Sequence, residues 1–103
     1  MPPKTGFTQQ DALLEGVLSS GPRFSYERHA LMQMQERLIT RQDVRAALYT
    51  GRVYGVELAY ETEERWRIEG LDVDGHKLAV VIEAIQDGAE TVVIITTFAP
   101  TRR

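Results

Sequence analysis

The spacing of apolar side chains changes at Gly51, and this change constrains the fold more than any other feature of the sequence. Before Gly51, apolar residues recur at intervals of three and four, as on one face of an α-helix. After it, apolar and polar residues alternate, as in strands that are buried on one face. Helices followed by strands predict an α+β domain, with two or three N-terminal helices packed on an antiparallel sheet.

The first predicted helix spans residues 8–19. Thr8 and Asp11 have the spacing of a capping box, and Gly21-Pro22 ends the helix because proline cannot continue it. We expect residues 1–22 to be an extra N-terminal helix and linker that precede an α+β core over residues 23–100.

Two further helices are predicted before the change in spacing. Ser25 is a suitable cap for a helix that reaches about Leu38. Thr40 opens the next helix, since its hydroxyl can accept a hydrogen bond from the backbone near Asp43, and Gly51 ends it. The apolar stripe of the first of these helices is predicted from Tyr26, Ala30 and Met34, widened by Leu31 and Leu38, and the buried residues of the second are Val44, Ala47 and Leu48.

Four strands are predicted after Gly51, joined as an antiparallel meander. Asp74-Gly75 and Asp87-Gly88 are typical hairpin turns. Residues 77–85 and 91–98 are apolar on both faces, so we expect both strands near the middle of the sheet, covered by helices on one side. The other two strands are predicted over residues 53–60 and around Trp66 and Ile68, with Trp66 in the core.

Composition narrows the class of protein. A chain of 103 residues fits one domain, residues 1–103. It has no cysteine, which excludes disulfides, thiolate nucleophiles and zinc fingers. The apolar run Val92–Ile95 is far too short to cross a membrane, and Met1–Lys4 leads into no signal sequence, so we expect a cytoplasmic protein.

The net charge of −3 conceals two regions of opposite sign. Residues 29–53 carry four arginines against two acids, whereas residues 54–90 carry ten acids against three basic residues. The acidic region repels a phosphate backbone unless the basic residues converge on one face.

His29 is the first candidate for chemistry, because imidazole titrates near neutral pH. Ser25, His29, Gln33 and Arg37 are spaced by four, which places them on one helix stripe. The imidazole could act as a general acid or base while Arg37 holds a phosphate. The alternative is a structural histidine that hydrogen bonds to a nearby carbonyl.

Arginines elsewhere are candidates for substrate binding. Arg41 and Arg45 share a face of the third helix and could bind phosphate or an acidic protein, or could simply be solvated. Arg65 and Arg67 share a face of one strand, where they could contact phosphates or only keep the surface soluble.

Two polar residues interrupt the apolar strands. Glu83 and Thr97 are predicted to point to the polar face of the sheet, beside Arg67, and we expect a Glu83–Arg67 pair. His76 lies at a hairpin tip, and its distance from His29 gives a weak case for a metal site. Since the chain also has no glycine-rich phosphate loop, we expect no metal and no cofactor.

A set of short motifs resembles a known family. The motifs are Phe24–Ala30, Met34, Glu36-Arg37, Ile39-Thr40, Asp43–Leu48, Gly51, Gly70, Gly75 and Ile94–Thr96. With these motifs the sequence is similar to the bacterial "domain of unknown function 4258" family over about residues 23–100, and that family is similar to the RelE- and BrnT-like toxins.

The resemblance implies helices that precede a curved antiparallel sheet, and a metal-independent ribonuclease that uses the RNA's own 2′-hydroxyl as nucleophile. It also implies an antitoxin protein as partner. His29, Arg37 and Gly51 match the family pattern, and Arg67 and Thr96 match it more loosely. On this basis the predicted catalytic residues are His29, Arg37 and Arg67, and the predicted substrate-binding residues are Arg41, Arg45, Arg65 and Thr97.

A non-catalytic protein-interaction domain, perhaps assembled as a homodimer, is the alternative function. It is favoured by the acidic second half of the chain and by the apolar first helix, which lies outside the resemblance and could cover the sheet or mediate assembly.

Overall fold

A computed structural model describes residues 6–99, which form three helices and one five-stranded sheet. The helices are α1 (Thr8–Ser19), α2 (Arg28–Arg37) and α3 (Arg41–Thr50). The strands are β1 (Arg23–Tyr26), β2 (Arg52–Ala59), β3 (Glu63–Leu71), β4 (Lys77–Glu83) and β5 (Thr91–Phe98), in the spatial order β1-β5-β4-β3-β2. No helix within residues 6–99 is long and apolar enough to cross a membrane.

The α+β class is confirmed, but the prediction of four antiparallel strands is wrong. The fifth strand, β1, lies at the edge of the sheet and runs parallel to β5, with Tyr26 opposite Ile94. Ser25 belongs to this strand and does not cap α2, which begins at Arg28 after Glu27. A strand of four residues that pairs with a segment far along the chain leaves little signal in the local spacing.

All three helices pack against the same face of the sheet, which we call the helix side. Trp66 and Ile68 of β3 are buried there, which confirms the core position predicted for Trp66. The other side is called the open face. The core on the helix side also contains Leu14, Val17, Leu18, Ala30, Met34, Val44, Ala47, Leu48, Val53, Leu78, Val80, Ile82, Val92 and Ile94.

Helix α3 is fixed at both ends. The predicted cap is present, because Thr40 Oγ1 accepts from the Asp43 N–H at 3.0 Å while Asp43 Oδ2 accepts from the Thr40 N–H at 3.0 Å. Asp43 Oδ1 also accepts from the Val73 N–H, at 3.2 Å, beyond the end of β3. At the other end, a Cβ on Gly70 would overlap the carbonyl oxygen of Ala47, so glycine permits the close packing of α3 on β3.

Helix α1 covers one end of the core and is joined to it by two long-range hydrogen bonds. Asp11 Oδ1 accepts from the backbone N–H of Val53, an edge-strand residue, at 2.7 Å. The Tyr49 hydroxyl of α3 donates to the Leu18 carbonyl at 3.1 Å. Leu18 is buried as well, so α1 covers the core, which is one of the two roles expected for this helix.

A β-bulge in β5 reverses the direction of its last side chains. Ile82 is opposite Ile94, but Val80 is opposite Thr97, so Ile95 lies in the extra position. Thr97 therefore faces the helix side, where it is completely buried and its N–H donates to Gln33 Oε1 at 3.1 Å. The prediction that Thr97 points to the polar face is wrong.

Candidate functional site

The predicted catalytic residues lie on two different sides of the sheet. His29 and Arg37 are exposed on α2, which packs on the helix side. Arg67 alternates with the core residues Trp66 and Ile68, so its side chain leaves β3 on the open face. The structure does not bring Arg67 into one cleft with His29 and Arg37.

Helix α2 retains only part of the predicted stripe. His29 and Arg37 are eight residues apart, which separates them by about 12 Å along the helix axis. Gln33 lies between them and is engaged by the buried Thr97 N–H, while Ser25 belongs to β1. Thr97, predicted to bind substrate, is inaccessible beneath this helix.

Two arginines of α3 stack on two aromatic rings of β1, and we call these four residues the arginine–aromatic cluster. The guanidinium carbon of Arg41 lies 4.7 Å from the centroid of the Tyr26 ring. That of Arg45 lies 5.6 Å from the centroid of Phe24. The two arginine–ring contacts lie side by side because residues two apart on a strand share a face, as do residues four apart on a helix.

The Tyr26 hydroxyl is the buried polar group of this cluster. Its oxygen has no hydrogen-bond partner among the described residues. Burial raises the pKa of the Tyr26 phenol, although the positive charges of Arg41 and Arg45 oppose the shift. Tyr26 therefore remains a neutral hydrogen-bond donor at neutral pH.

The exposed cations of the helix side have no acidic partner within residues 6–99. Across that part of the chain the ion pairs are Arg65–Glu63 at 3.4 Å, Arg67–Glu57 at 3.8 Å and His76–Asp72 at 4.0 Å. None of these pairs includes a residue of α2 or α3. We call the unpaired arginines of α2 and α3 the helix-side cations: Arg28, Arg37, Arg41 and Arg45. His29, also exposed on α2, forms no ion pair within residues 6–99 either.

Arg67 is already engaged on the open face. Its guanidinium lies 5.6 Å from the Tyr54 ring centroid and forms the ion pair with Glu57. The predicted Glu83–Arg67 pair is wrong, because the register places Glu83 opposite Arg65. Glu83 does lie on the open face, as predicted.

Arg65 is similarly engaged. Its guanidinium lies 5.9 Å from the Tyr60 ring centroid and pairs with Glu63. The arginines of β3 thus lie among carboxylates and rings of their own sheet, which neutralise much of their charge.

One group in the described residues has side chains close enough to hold a metal ion. The ligand atoms of Asp72, Asp74 and His76 lie within 4.8 Å of one another in the β3–β4 turn. Asp72 Oδ1 accepts from the backbone N–H groups of Asp74 and His76, both at 2.9 Å. These hydrogen bonds account for the cluster as part of the turn.

The residues that sequence analysis missed are Phe24 and Tyr26. Tyr26 was assigned to a helix stripe, whereas it is the last residue of β1. The alternation of Phe24, Ser25 and Tyr26 after Pro22 was the available signal, but a preference for Ser25 as a helix cap competed with it.

The fold and these surfaces define a small α+β protein with three helices on one side of a mixed sheet and unpaired cations in the helix layer. The model of one protein family, described as a domain of unknown function (DUF4258), matches residues 26–99. The chain belongs to this family. The match begins at Tyr26, so α1 and the rest of β1 precede it. No curated protein and no solved structure matches the chain.

Proposed function

We propose that the protein is a cytoplasmic, RelE-like domain of the toxin–antitoxin type that binds RNA through its helix side. It acts there as a metal-independent ribonuclease or is a lapsed relative that keeps only RNA binding. Its protein partner is an antitoxin. The proposal rests on the helix-side cations and on the likeness of the family to such toxins.

The observation that carries the proposal is a mismatch of charge. The chain has 15 acidic residues against 12 basic ones, yet the exposed cations of α2 and α3 form no ion pair within residues 6–99. An acidic protein could readily neutralise these arginines internally. Exposed guanidinium groups without a carboxylate remain available to phosphates, which bind arginine through charge-assisted hydrogen bonds.

The chemistry would use His29 and Arg37. In metal-independent cleavage, the 2′-oxygen attacks the adjacent phosphorus and the bond to the 5′-oxygen breaks, leaving a 2′,3′-cyclic phosphate and a 5′-hydroxyl. The His29 imidazole would accept the 2′-hydroxyl proton or donate one to the leaving oxygen. Arg37, two turns further along α2, would hold a phosphate of the same strand. Arg67 has no part in this site, since it leaves the sheet on the open face.

Expression in a bacterium tests the activity. We expect slowed growth and RNA fragments that end in 2′,3′-cyclic phosphates, with no dependence on divalent metal. His29→Ala should abolish both effects, whereas the control His76→Ala, in the β3–β4 turn, should leave them unchanged. Normal growth and intact RNA, with no difference between the wild type and His29→Ala, would contradict the ribonuclease. Retained RNA binding in that case would identify the lapsed relative.

A non-catalytic interaction domain is the second candidate. The specific observation in its favour is that the sheet separates Arg67 from His29 and Arg37, so the expected three-residue catalytic set is not assembled. A binding domain needs no such set, and the acidic hairpins would suit a basic partner protein. Mass measurement in solution tests the homodimer, which a monomer at all concentrations would exclude. Co-purification with the product of an adjacent small gene tests the antitoxin.

A further inference from the structure

We propose that Tyr26, Arg41 and Arg45 form a binding site for a phosphate group of RNA. This inference rests on the proposed function and deepens it, because it identifies one phosphate subsite and adds a tyrosine hydroxyl to it. The site is the arginine–aromatic cluster, in which β1 supplies the hydroxyl and α3 supplies the charges.

The hydrogen-bond donors of Arg41 and Arg45 remain free in the cluster. A guanidinium over an aromatic ring is attracted by the negative face of the ring, and this contact takes up no hydrogen-bond acceptor. Its N–H groups lie in its own plane and remain available at the edge. At 4.7 Å from Tyr26 and 5.6 Å from Phe24, both guanidinium groups are held by rings, and neither has an ion pair in the described chain. The rings therefore orient the arginines without using their donors.

The Tyr26 hydroxyl oxygen is buried and lacks a hydrogen-bond partner among the described residues. A buried hydroxyl without a partner is unfavourable, and such groups in native structures need an explanation. Here the unpartnered oxygen lies beside two positive charges, which act on its ionisation. A ligand that displaces a neighbouring side chain to reach the hydroxyl, accepts a hydrogen bond from it and is also attracted by the arginines would satisfy all three groups. An oxyanion with several acceptor oxygens has this chemistry.

No acidic side chain forms an ion pair with the arginine–aromatic cluster within residues 6–99. The strand beside β1 is β5, whose residues opposite Phe24 and Tyr26 are Val92 and Ile94 and carry no charge. Glu27 follows Tyr26 directly, but it is exposed at the start of α2 and forms no ion pair within residues 6–99. Asp43, between the two arginines on α3, accepts from the Thr40 and Val73 N–H groups and pairs with neither arginine. Both guanidinium groups therefore remain available to a phosphodiester.

Fluorescence anisotropy with a labelled single-stranded RNA of about 12 nucleotides tests the site. We expect Arg41→Gln and Arg45→Gln each to weaken binding about five- to tenfold and to reduce the salt dependence by about one phosphate contact. Tyr26→Phe should weaken binding about threefold with an unchanged salt dependence, because it removes the hydroxyl and keeps the ring. The control Arg52→Gln removes an exposed arginine from β2 and should change affinity less than twofold.

Three outcomes would overturn the site. Equal losses for Arg52→Gln and Arg41→Gln would show general charge attraction, which contradicts the site but leaves RNA binding intact. Unchanged affinity for Tyr26→Phe would exclude the hydroxyl. Weaker binding of RNA than of a poly-glutamate peptide would assign the arginines to an acidic protein. Thermal unfolding checks that each variant folds, and Tyr26→Phe should unfold at the same or a higher temperature.

A protein that binds no RNA would contradict the proposed function, and the site can then be tested separately. Inorganic phosphate would be titrated while the side-chain Nε–H signals of Arg41 and Arg45 are followed by NMR. Saturable shifts that disappear in Tyr26→Phe would support the phosphate site without RNA. No shifts, or equal shifts at Arg52, would overturn it.

Discussion

The helix side and the open face each hold two arginines stacked on aromatic rings, yet the two pairs differ in charge balance. On the open face, Arg67 stacks on Tyr54 and forms an ion pair with Glu57. On the helix side, Arg41 stacks on Tyr26 with no acidic partner in the described chain. Both pairs of arginines contact aromatic rings, so the ring contact does not separate them. They differ because a carboxylate pairs with each arginine of the open face and with neither arginine of the cluster.

The origin of the difference lies in the strand register. Antiparallel pairing of β2 with β3 places Glu57 directly opposite Arg65 and two residues from the position opposite Arg67. On the helix side, β1 offers only aromatic side chains to α3. The sheet thus places carboxylates beside the arginines of β3, whereas Arg41 and Arg45 of α3 have no carboxylate partner within residues 6–99.

Gly70→Ala should displace α3, and with it Arg41 and Arg45, and this substitution has the largest expected effect. The added methyl group would overlap the Ala47 carbonyl, so α3 must move away from β3. We expect a loss of about 2–4 kcal/mol in the free energy of unfolding, together with weaker RNA binding. Chemical denaturation measures the first effect.

Gly16→Ala is the matched control for that substitution. A Cβ at Gly16 meets nothing within 4 Å, and the residue lies inside α1. Alanine should therefore stabilise the protein by about 0.5–1 kcal/mol. A Gly70→Ala protein as stable as the Gly16→Ala protein would refute the close packing of α3 on β3.

Asp43→Asn should weaken the N-terminal cap of α3. We expect the free energy of unfolding to fall by about 1 kcal/mol at pH 7, a smaller loss than for Gly70→Ala. Burial acts to raise the pKa of the Asp43 carboxyl, but hydrogen bonds from the Thr40 and Val73 N–H groups and from the Thr40 side chain outweigh it and lower the pKa. A lowered pKa in the folded state means that the carboxylate stabilises the fold above its ordinary pKa of 3.8, and that this stabilisation is lost as the pH falls through the lower folded value.

The free energy of unfolding, measured from pH 7 to pH 2, tests the direction of the Asp43 pKa shift. The wild type should lose its advantage over Asp43→Asn at the acid end of the range. Asp87→Asn, in the exposed β4–β5 turn, is the control and should follow the wild type. A constant difference between wild type and Asp43→Asn at every pH would contradict a lowered pKa.

Local signals in the sequence predicted several features that depend on neighbouring residues, although α1 lacks the Thr8–Asp11 capping box and Leu31 and Leu38 of the expected apolar stripe are exposed. The Thr40–Asp43 cap, the end of α3 at Gly51 and the buried Trp66 are confirmed. The predicted turns at Gly75 and Gly88 have the positive φ angles of 84° and 83° that glycine permits. Each of these depends on a few consecutive side chains.

Features that depend on distant pairing were not predictable in the same way. The spacing of Phe24 and Tyr26 fits a strand, but only parallel pairing with β5 makes it one. Counting by twos from the buried Ile94 places Thr97 on the open face, and one extra residue at Ile95 reverses that result. The arginine–aromatic cluster depends on the first of these features, because β1 supplies Phe24 and Tyr26, and the burial of Thr97 depends on the second.

Removing the Glu57 carboxylate that pairs with Arg67 on the open face has the smallest expected effect. Glu57→Gln should free Arg67 and raise RNA affinity by no more than about fivefold, since an exposed ion pair contributes only about 0–1 kcal/mol. Arg67→Gln, which removes an arginine already neutralised, should change affinity less than Arg41→Gln does. Anisotropy titrations of the three variants with one RNA give the ranking. If Arg67→Gln reduced affinity as much as Arg41→Gln, pairing with Glu57 would not neutralise the open face, and both faces would contact RNA.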